Sequence, residues 1–565
     1  MRVPMMKAQH RRRTAQAIQY PSPVAGLVSS RSLSDAREPG QAQGAAVLTN
    51  FFPTATGAQL RRGCIKHAQI GDGTQSIVSM FAYVDGTNRH MFAATDTAIY
   101  DVTTPEAPTD FILVDDQGNT FASSDGDGIG NTSISSDNIY PGQTSGDWVA
   151  CQFAATGTIY LRLVNGVDTP LVFSGSGWST TPALTFPDDP ETGDPSELDP
   201  NILNYVWQYK NRLYFIEKDS LNVWYLQVDQ VGGELKLFPM GGIFQRGGSL
   251  MIGASWSLDS GQGGGLSEQC VMITTEGEVA VFQGSSPDDV QTWHNVGVYR
   301  IGEPLGKHAY IRSGADIIVA TNVGFVPLSQ AIKRDVAALS PAAASYPIEK
   351  AWTDAVDDRG KGWHCEIWPG WQMIVVAMPT SLRDGAGMFV ANAQTGAWSM
   401  FTGWDARCMV VFNDFLYFGS DDGFIYSAMV TGADDERPYT GIYMPLFDDA
   451  GTPMSRKAGR MVKVELRSFS EVNEQVTCQY DFRTDISPVP PPAVVSGGNQ
   501  WDVGEWNAAT WDGAPDAIIT QSRHSISGYG YRLSPILQIS SASIAPSDVE
   551  IVSVEATFEL ADIFT

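Results

Sequence analysis

His90-Met-Phe-Ala-Ala-Thr-Asp-Thr-Ala-Ile-Tyr-Asp-Val102 and Phe415-Leu-Tyr-Phe-Gly-Ser-Asp-Asp-Gly-Phe-Ile-Tyr-Ser427 share one shape. Each has an apolar strand, a polar turn and a second apolar strand that ends on an aromatic. Side chains alternate across a strand with period two, so this pattern with a Gly or Asp turn reads as a β-hairpin. The shape recurs at 158–173, 212–226 (around Glu217-Lys-Asp-Ser220), 271–282 (around Thr275-Glu-Gly-Glu278), 317–328 (around Asn322-Val-Gly324) and 388–401 (around Gln394-Thr-Gly396). The starts are mostly about 45 to 70 residues apart, the spacing of four-stranded propeller blades with loop insertions. A single blade cannot bury both its faces, so blades must stack in a ring. The expected fold is therefore all-β, a β-propeller of about five to seven blades. A pair of β-sandwiches is the competing architecture, and the regular recurrence argues against it.

At 565 residues the chain exceeds what one hydrophobic core usually supports. Three regions are expected. Residues 1–50 lack periodicity and read as an extended basic arm. Residues 51–430 read as the propeller, with polar, acidic insertions at 115–147 and 187–200. Residues 431–565 read as a β-sandwich-like domain holding a Pro-rich loop (Ser487-Pro-Val-Pro-Pro-Pro-Ala493).

Charge divides along the chain. Residues 1–66 carry ten Lys or Arg against two acids, in a chain of net charge −27. The basic clusters Arg11-Arg12-Arg13 and Arg61-Arg62 are candidate partner contacts. So is Trp501-Asp-Val-Gly-Glu-Trp506-Asn-Ala-Ala-Thr-Trp511, three tryptophans at a spacing of five that matches neither helix nor strand. Tryptophan buries a large apolar surface and keeps one N–H donor, which suits an interface and equally a stapled loop.

No motif carries chemistry. Asp125-Gly-Asp-Gly-Ile-Gly-Asn131 fails the calcium-loop pattern, with Ile129 and Ser136 where oxygen ligands are needed. No G-x-S-x-G and no phosphate-cradling G-x-x-x-x-G-K-[ST] occurs, and the seven His are dispersed. The six Cys form no C-x-x-C and read as reduced, mostly buried small hydrophobes. No catalytic residue, cofactor or metal is therefore assigned, and a non-enzymatic role is expected. Neither a secretory signal nor an 18-residue apolar run is present, so folding in a cytoplasm is expected.

Leu48-Thr-Asn-Phe-Phe-Pro-Thr-Ala-Thr-Gly-Ala-Gln-Leu-Arg-Arg-Gly63, the segment Tyr83–Val102, and Ala393-Gln-Thr-Gly-Ala-Trp-Ser-Met-Phe401 followed by Phe412–Tyr426 resemble the tail nozzle proteins of short-tailed bacteriophages. These are also called tail tubular protein B or packaged-DNA stabilisation protein. The resemblance implies a structural virion protein: a homohexameric ring at the distal tail, below an adaptor ring and the portal. Its lumen would retain packaged double-stranded DNA and guide its ejection. Tail fibres or spikes and the host envelope would be further partners, and assembly would occur in the host cytoplasm. An acidic lumen would repel the duplex and let it slide, and the basic arm would anchor to an acidic neighbour. Two alternatives stay open. One is a receptor- or glycan-binding propeller that uses Trp256, Trp293, Trp363, Trp368 and Trp371 as stacking faces. The other is a propeller hydrolase.

Overall fold

The computed structural model describes residues 15–29, 43–71, 73–104, 139–188, 196–259, 266–289, 291–381, 385–469, 472–486, 517–542, 546 and 548–561. The chain divides into two units. One comprises 64–390 with 402–430, the other 1–63, 391–401 and 431–565.

The first unit is a β-propeller of seven successive antiparallel sheets. Blade 1 is Ser79–Asp85, Asn88–Ala94, Ala98–Asp101 and Ile139–Pro141. Blade 2 is Val149–Ala155, Thr158–Val164, Leu171–Phe173 and Trp178–Ser179. Blade 3 is Leu203–Tyr209, Arg212–Glu217, Asn222–Tyr225 and Lys236–Pro239. Blade 4 is Leu250–Asp259, Leu266–Thr274, Glu278–Gln283 and His294–Arg300. Blade 5 is reduced to three strands, Tyr310–Ser313, Asp316–Thr321 and Gly324–Pro327, followed by the helices Leu328–Ala331 and Glu349–Arg359. Blade 6 begins with His364–Trp368, Met373–Ala377 and Gly387–Asn392. Blade 7 is Cys408–Phe412, Phe415–Gly419 and Phe424–Thr431, completed by the much earlier strand Gly63–Gln69. Neighbouring sheets pack in chain order, mostly through their innermost strands, and blade 7 returns onto blade 1.

Every hairpin read from the sequence begins on a blade, one per blade. Six of them are second and third strands. The seventh, 388–401, joins the third strand of blade 6 to Trp398–Thr402, a strand that starts in the second unit. Turns between first and second strands use left-handed residues, such as Lys210 and Asn211 (φ 48° and 54°) and Asn413 and Asp414 (φ 48° and 67°). Two consecutive residues at positive φ match the twist of a two-residue hairpin, and Asn and Asp tolerate them best.

Aromatic and branched residues fill the spaces between blades. Phe81, Phe92, Trp148 and Phe173 pack between blades 1 and 2. Trp207, Tyr214, Trp256 and Trp293 belong to a larger cluster that runs through blades 2 to 5. A Cβ on Gly253 would lie 2.4 Å from the Trp207 ring, so only glycine lets blades 3 and 4 approach this closely.

The second unit is a two-layer β-sandwich. One sheet runs Phe51–Pro53, Ala58–Leu60, Glu550–Ala561, Arg456–Ser468, Ile518–Ser525, with Gln16–Pro21 on the 550–561 strand and Tyr529–Gly530 on the 456–468 strand. The other contains Ala45–Thr49, Tyr439–Pro445, Leu533–Ser541 and Glu474–Tyr480. Val462, Val464, Leu466, Val554 and Phe558 are buried on the first sheet, and Met444, Ile536 and Leu537 on the second. The Tyr20 hydroxyl donates to the Leu533 carbonyl at 3.0 Å, joining the layers.

This corrects the expected boundaries. Residues 16–21 and 45–49 are sandwich strands and not an extended arm, and 51–63 belong to the sandwich and not the propeller. The strand at 16–21 turns only Ile18 and Tyr20 inward, too short an alternation to stand out locally, and its partner lies at the far end of the chain. The C-terminal region is sandwich-like as expected, but its sheets need strands from both ends of the sequence.

All six cysteines are free thiols, four buried and two half-buried. Among the described residues no helix is long and apolar enough to cross a membrane.

Candidate functional site

Arg61 follows the strand Ala58–Leu60, and the sandwich withdraws it completely. Its guanidinium forms a bidentate pair with Asp434 (2.8 and 2.5 Å), and its Nε donates to Asn50 Oδ1 at 2.9 Å. It lies 4.1 Å from the centroid of the Tyr439 ring, whose hydroxyl donates back to the Arg61 carbonyl. Arg62 is partly exposed and pairs with both oxygens of Asp548 (2.8 and 2.7 Å). The pair expected to meet a partner thus ties the unit together from within, because each cation has a fixed internal carboxylate. Arg11, Arg12, Arg13, Trp501, Trp506, Trp511, the Asp125–Asn131 loop, the Pro-rich stretch and most of the two insertions lie outside the described residues.

A chamber of about 720 Å³ lies at one mouth of the propeller ring. The loops leading into the innermost strands of blades 2, 5, 6 and 7 supply Asp147, Lys307, Trp363 and Asp405. Asp96, Lys361, Arg407 and Asp421 add further charge. Its cations are paired. Lys307 Nζ reaches both the carbonyl and the carboxylate of Asp147, each at 2.8 Å, tying blade 5 to blade 2 across the mouth. Arg407 meets Asp421 at 2.6 Å and Lys361 meets Glu303 at 3.8 Å. Burial lowers the Lys307 pKa, with Asp147 opposing the shift.

His308 and His364 form the floor of this chamber and also line a smaller one of about 280 Å³ with Tyr310, Arg312 and Glu366. The two histidines face each other in a parallel β-bridge between blades 5 and 6, with rings stacked 5.2 Å apart. The Cys365 N–H donates to the His308 carbonyl at 2.9 Å. Enclosure holds both imidazoles neutral. Burial lowers His308 well below its usual value, helped by His364 and Lys307, and lowers His364 to about 4 against a hydrogen bond to the Met409 carbonyl. Burial also raises the Glu366 carboxyl to about 7. Deeper in, the Tyr205 hydroxyl of blade 3 donates to the Tyr310 hydroxyl of blade 5 at 2.9 Å, a second tie that skips a blade. The smaller chamber therefore brings together two imidazoles that burial keeps neutral, a tyrosine hydroxyl, the Arg312 guanidinium and one carboxyl whose pKa burial raises to about 7. Its cysteine neighbours are protonated, with Cys151 pushed up to about 12 and Cys365 higher still.

The sequence reading missed this cluster. His308 and His364 lie far apart in the chain and meet only because the ring sets blade 5 against blade 6. The one local signal is His364-Cys-Glu366, where alternation turns two polar groups to the same side of an inner strand. The tryptophans considered as stacking faces are mostly core: Trp256, Trp293, Trp363 and Trp368 are 2, 8, 1 and 1% exposed. Among the described residues no group of three or more His, Cys, Asp or Glu is placed to hold a metal ion.

No protein-family model and no curated protein matches the chain. Solved structures similar to it include the β-propeller domain of Cps50 (Swd1) from Myceliophteria thermophila, with TM-score 0.33 and 9% identity over 65% of this chain and 100% of that one. YCF48 from Cyanidioschyzon merolae matches with TM-score 0.32 and 10% identity over 64% of this chain and 98% of that one. The computationally designed Ika8 protein matches with TM-score 0.32 and 9% identity over 65% and 100%.

Proposed function

We propose that the chain is a structural protein of a short-tailed bacteriophage tail, the nozzle, working as a homohexameric ring coaxial with an adaptor ring and the portal. The reading starts from the resemblance at 48–63, 83–102 and 393–426. The observation that carries it further is the architecture, an acidic propeller and a sandwich built from both ends of the chain. The propeller segments hold 18 Lys and Arg against 42 Asp and Glu, whereas the sandwich segments hold 18 against 21. An acidic surface suits a wall past which DNA must slide without sticking.

The propeller's own axis is not the DNA path in this reading. The Lys307–Asp147 and Tyr205–Tyr310 ties bar it, and its chambers are far too small for a duplex. The lumen would be enclosed by several copies. Cryo-electron microscopy of the purified assembly tests this. Six copies around a lumen coaxial with a portal are expected, and a monomer or a peripheral trimeric spike would overturn the proposal. A wall dominated by Lys and Arg would separately sink the sliding mechanism.

The axial chamber favours a second reading, a receptor- or glycan-binding propeller, because it is a concave site with convergent polar groups. The burial of four of the five tryptophans removes most of the aromatic platforms that such binding would use. Saturable glycan binding by the purified protein, abolished by Asp405→Ala at the chamber rim, would revive it.

A further inference from the structure

The inner strands of blades 5 and 6 carry polar groups where that of blade 7 is apolar. Alternation puts His308, Tyr310 and Arg312 on one side of the blade 5 segment, and His364 and Glu366 on one side of the blade 6 strand. All of them line the chamber of about 280 Å³. The blade 7 strand, Cys408-Met-Val-Val-Phe412, has no charged or hydrogen-bonding side chain apart from its thiol.

Three of these groups keep unused hydrogen-bonding capacity. Arg312 is exposed, and among the described residues its guanidinium makes no ion pair and no hydrogen bond. The Tyr310 hydroxyl accepts from Tyr205 at 2.9 Å, which leaves its own proton to donate. His308 Nε2 is buried with no hydrogen-bond partner among the described residues. Buried polar atoms are as a rule satisfied, and an imidazole nitrogen can donate or accept. Glu366 does not neutralise Arg312. Its carboxyl accepts from the Ile367 N–H, and burial raises its pKa to about 7. The groups around it are His308, Tyr310 and Arg312 from blade 5, and His364 and Cys365 from its own strand. Of the other strands packed on that strand, 373–377 carries no titratable side chain and 408–412 carries only Cys408.

We propose that the smaller chamber binds a small organic carboxylate, which Arg312 holds by its oxygens while Tyr310 and His308 hydrogen-bond the same group or a hydroxyl beside it. The planar guanidinium fork matches a carboxylate. Charge favours a monoanion. Arg312 is the only Lys or Arg lining the chamber, and Lys307 at its border is already paired with Asp147. A dianion such as sulfate would leave one charge unbalanced in an enclosed site. The volume admits an acid up to the size of a single sugar and excludes a polymer. Ionised Glu366 repels such a ligand, so affinity falls as pH rises through about 7. The inference stands apart from the ring reading, which copy number tests, and from glycan binding at the rim, which Asp405→Ala tests.

Isothermal titration calorimetry of the full-length protein with acetate, lactate and glucuronate tests this, with glucose and sulfate as comparisons. Saturable binding of at least one carboxylate is expected, weakened by about tenfold or more in Arg312→Gln. Circular dichroism and melting confirm that each variant folds. Wild-type affinity should fall by about threefold or more from pH 6 to pH 8, whereas Glu366→Gln should bind equally well at both. Failure of all three carboxylates to bind saturably overturns the site. So does unchanged binding in folded Arg312→Gln, or glucose binding as tightly as glucuronate. Sulfate binding more tightly than every carboxylate overturns the choice of a monoanion. A pH dependence that persists in Glu366→Gln overturns the part given to that carboxyl.

Discussion

Arg61 shows how a basic residue can be legible as a charge and still be misread as to its role. The Arg61-Arg62 pair stands out in the sequence, but Asp434 and Asp548, which neutralise it, are hundreds of residues away and look like ordinary turn acids. Removing one member of a buried pair leaves the other charge unpaired, which costs more than the pair contributes. Arg61→Met is expected to destabilise the sandwich by about 3–5 kcal/mol, and Arg61→Met/Asp434→Leu should recover most of that loss, read from urea unfolding midpoints. The cysteines were expected to be mostly buried small groups, because their spacing matches no metal or redox motif, and four of the six are buried. Burial pushes Cys151, Cys408 and Cys478 up to about 12 and Cys270 further, so their thiols stay protonated at pH 8. Native protein should react slowly with a thiol-specific disulfide reagent, and all six groups should react at once in denaturant.

At the scale of elements, hairpins were the most legible feature, because a period-two alternation around a Gly or Asp turn is a local property. The pairing of blade 5 with blade 6 was not, because it depends on the ring. His308 and His364 at that junction make stability depend on pH. Their folded pKa values lie below the usual 6.5, so the unfolded chain takes up protons first as pH falls. Their contribution is complete above pH 6.5 and is lost as pH falls toward 4. Glu366 acts in the opposite sense. Its folded value is about 7 against a usual 4.5, so stability is lost as pH rises from 4.5 through 7. Unfolding midpoints at pH 5, 6, 7 and 8 should therefore respond oppositely to two variants. His364→Gln should flatten the acid side, and Glu366→Gln should stabilise the protein by about 1–3 kcal/mol at pH 8. A Glu366→Gln protein no more stable than wild type at pH 8 would contradict a carboxyl whose pKa is raised in the folded state.

At the scale of the molecule, the all-β class, the propeller and the sandwich were readable, whereas the interleaving of the two units was not. Tyr20 lies in a basic, aperiodic-looking head, but it is fully buried and its hydroxyl joins the two sandwich sheets. Deleting residues 1–44 removes that strand and should lower the melting temperature of the sandwich while the propeller transition stays in place. Differential scanning calorimetry reads the two separately, and an unchanged sandwich transition would contradict the assigned pairing of 16–21 with 550–561.

The strand Gly63–Gln69, which completes blade 7, has a consequence for biosynthesis. It leaves the ribosome before any blade is complete, and its partners at 408–431 follow only after the rest of the ring. At ordinary translation speeds that wait is on the order of tens of seconds. During it, an apolar strand edge and the open side of blade 1 have no native cover. Closing the ring is thus a late event for the nascent chain. A message truncated before codon 402 would yield an open stack of blades, a form suited to capture by chaperones and to aggregation.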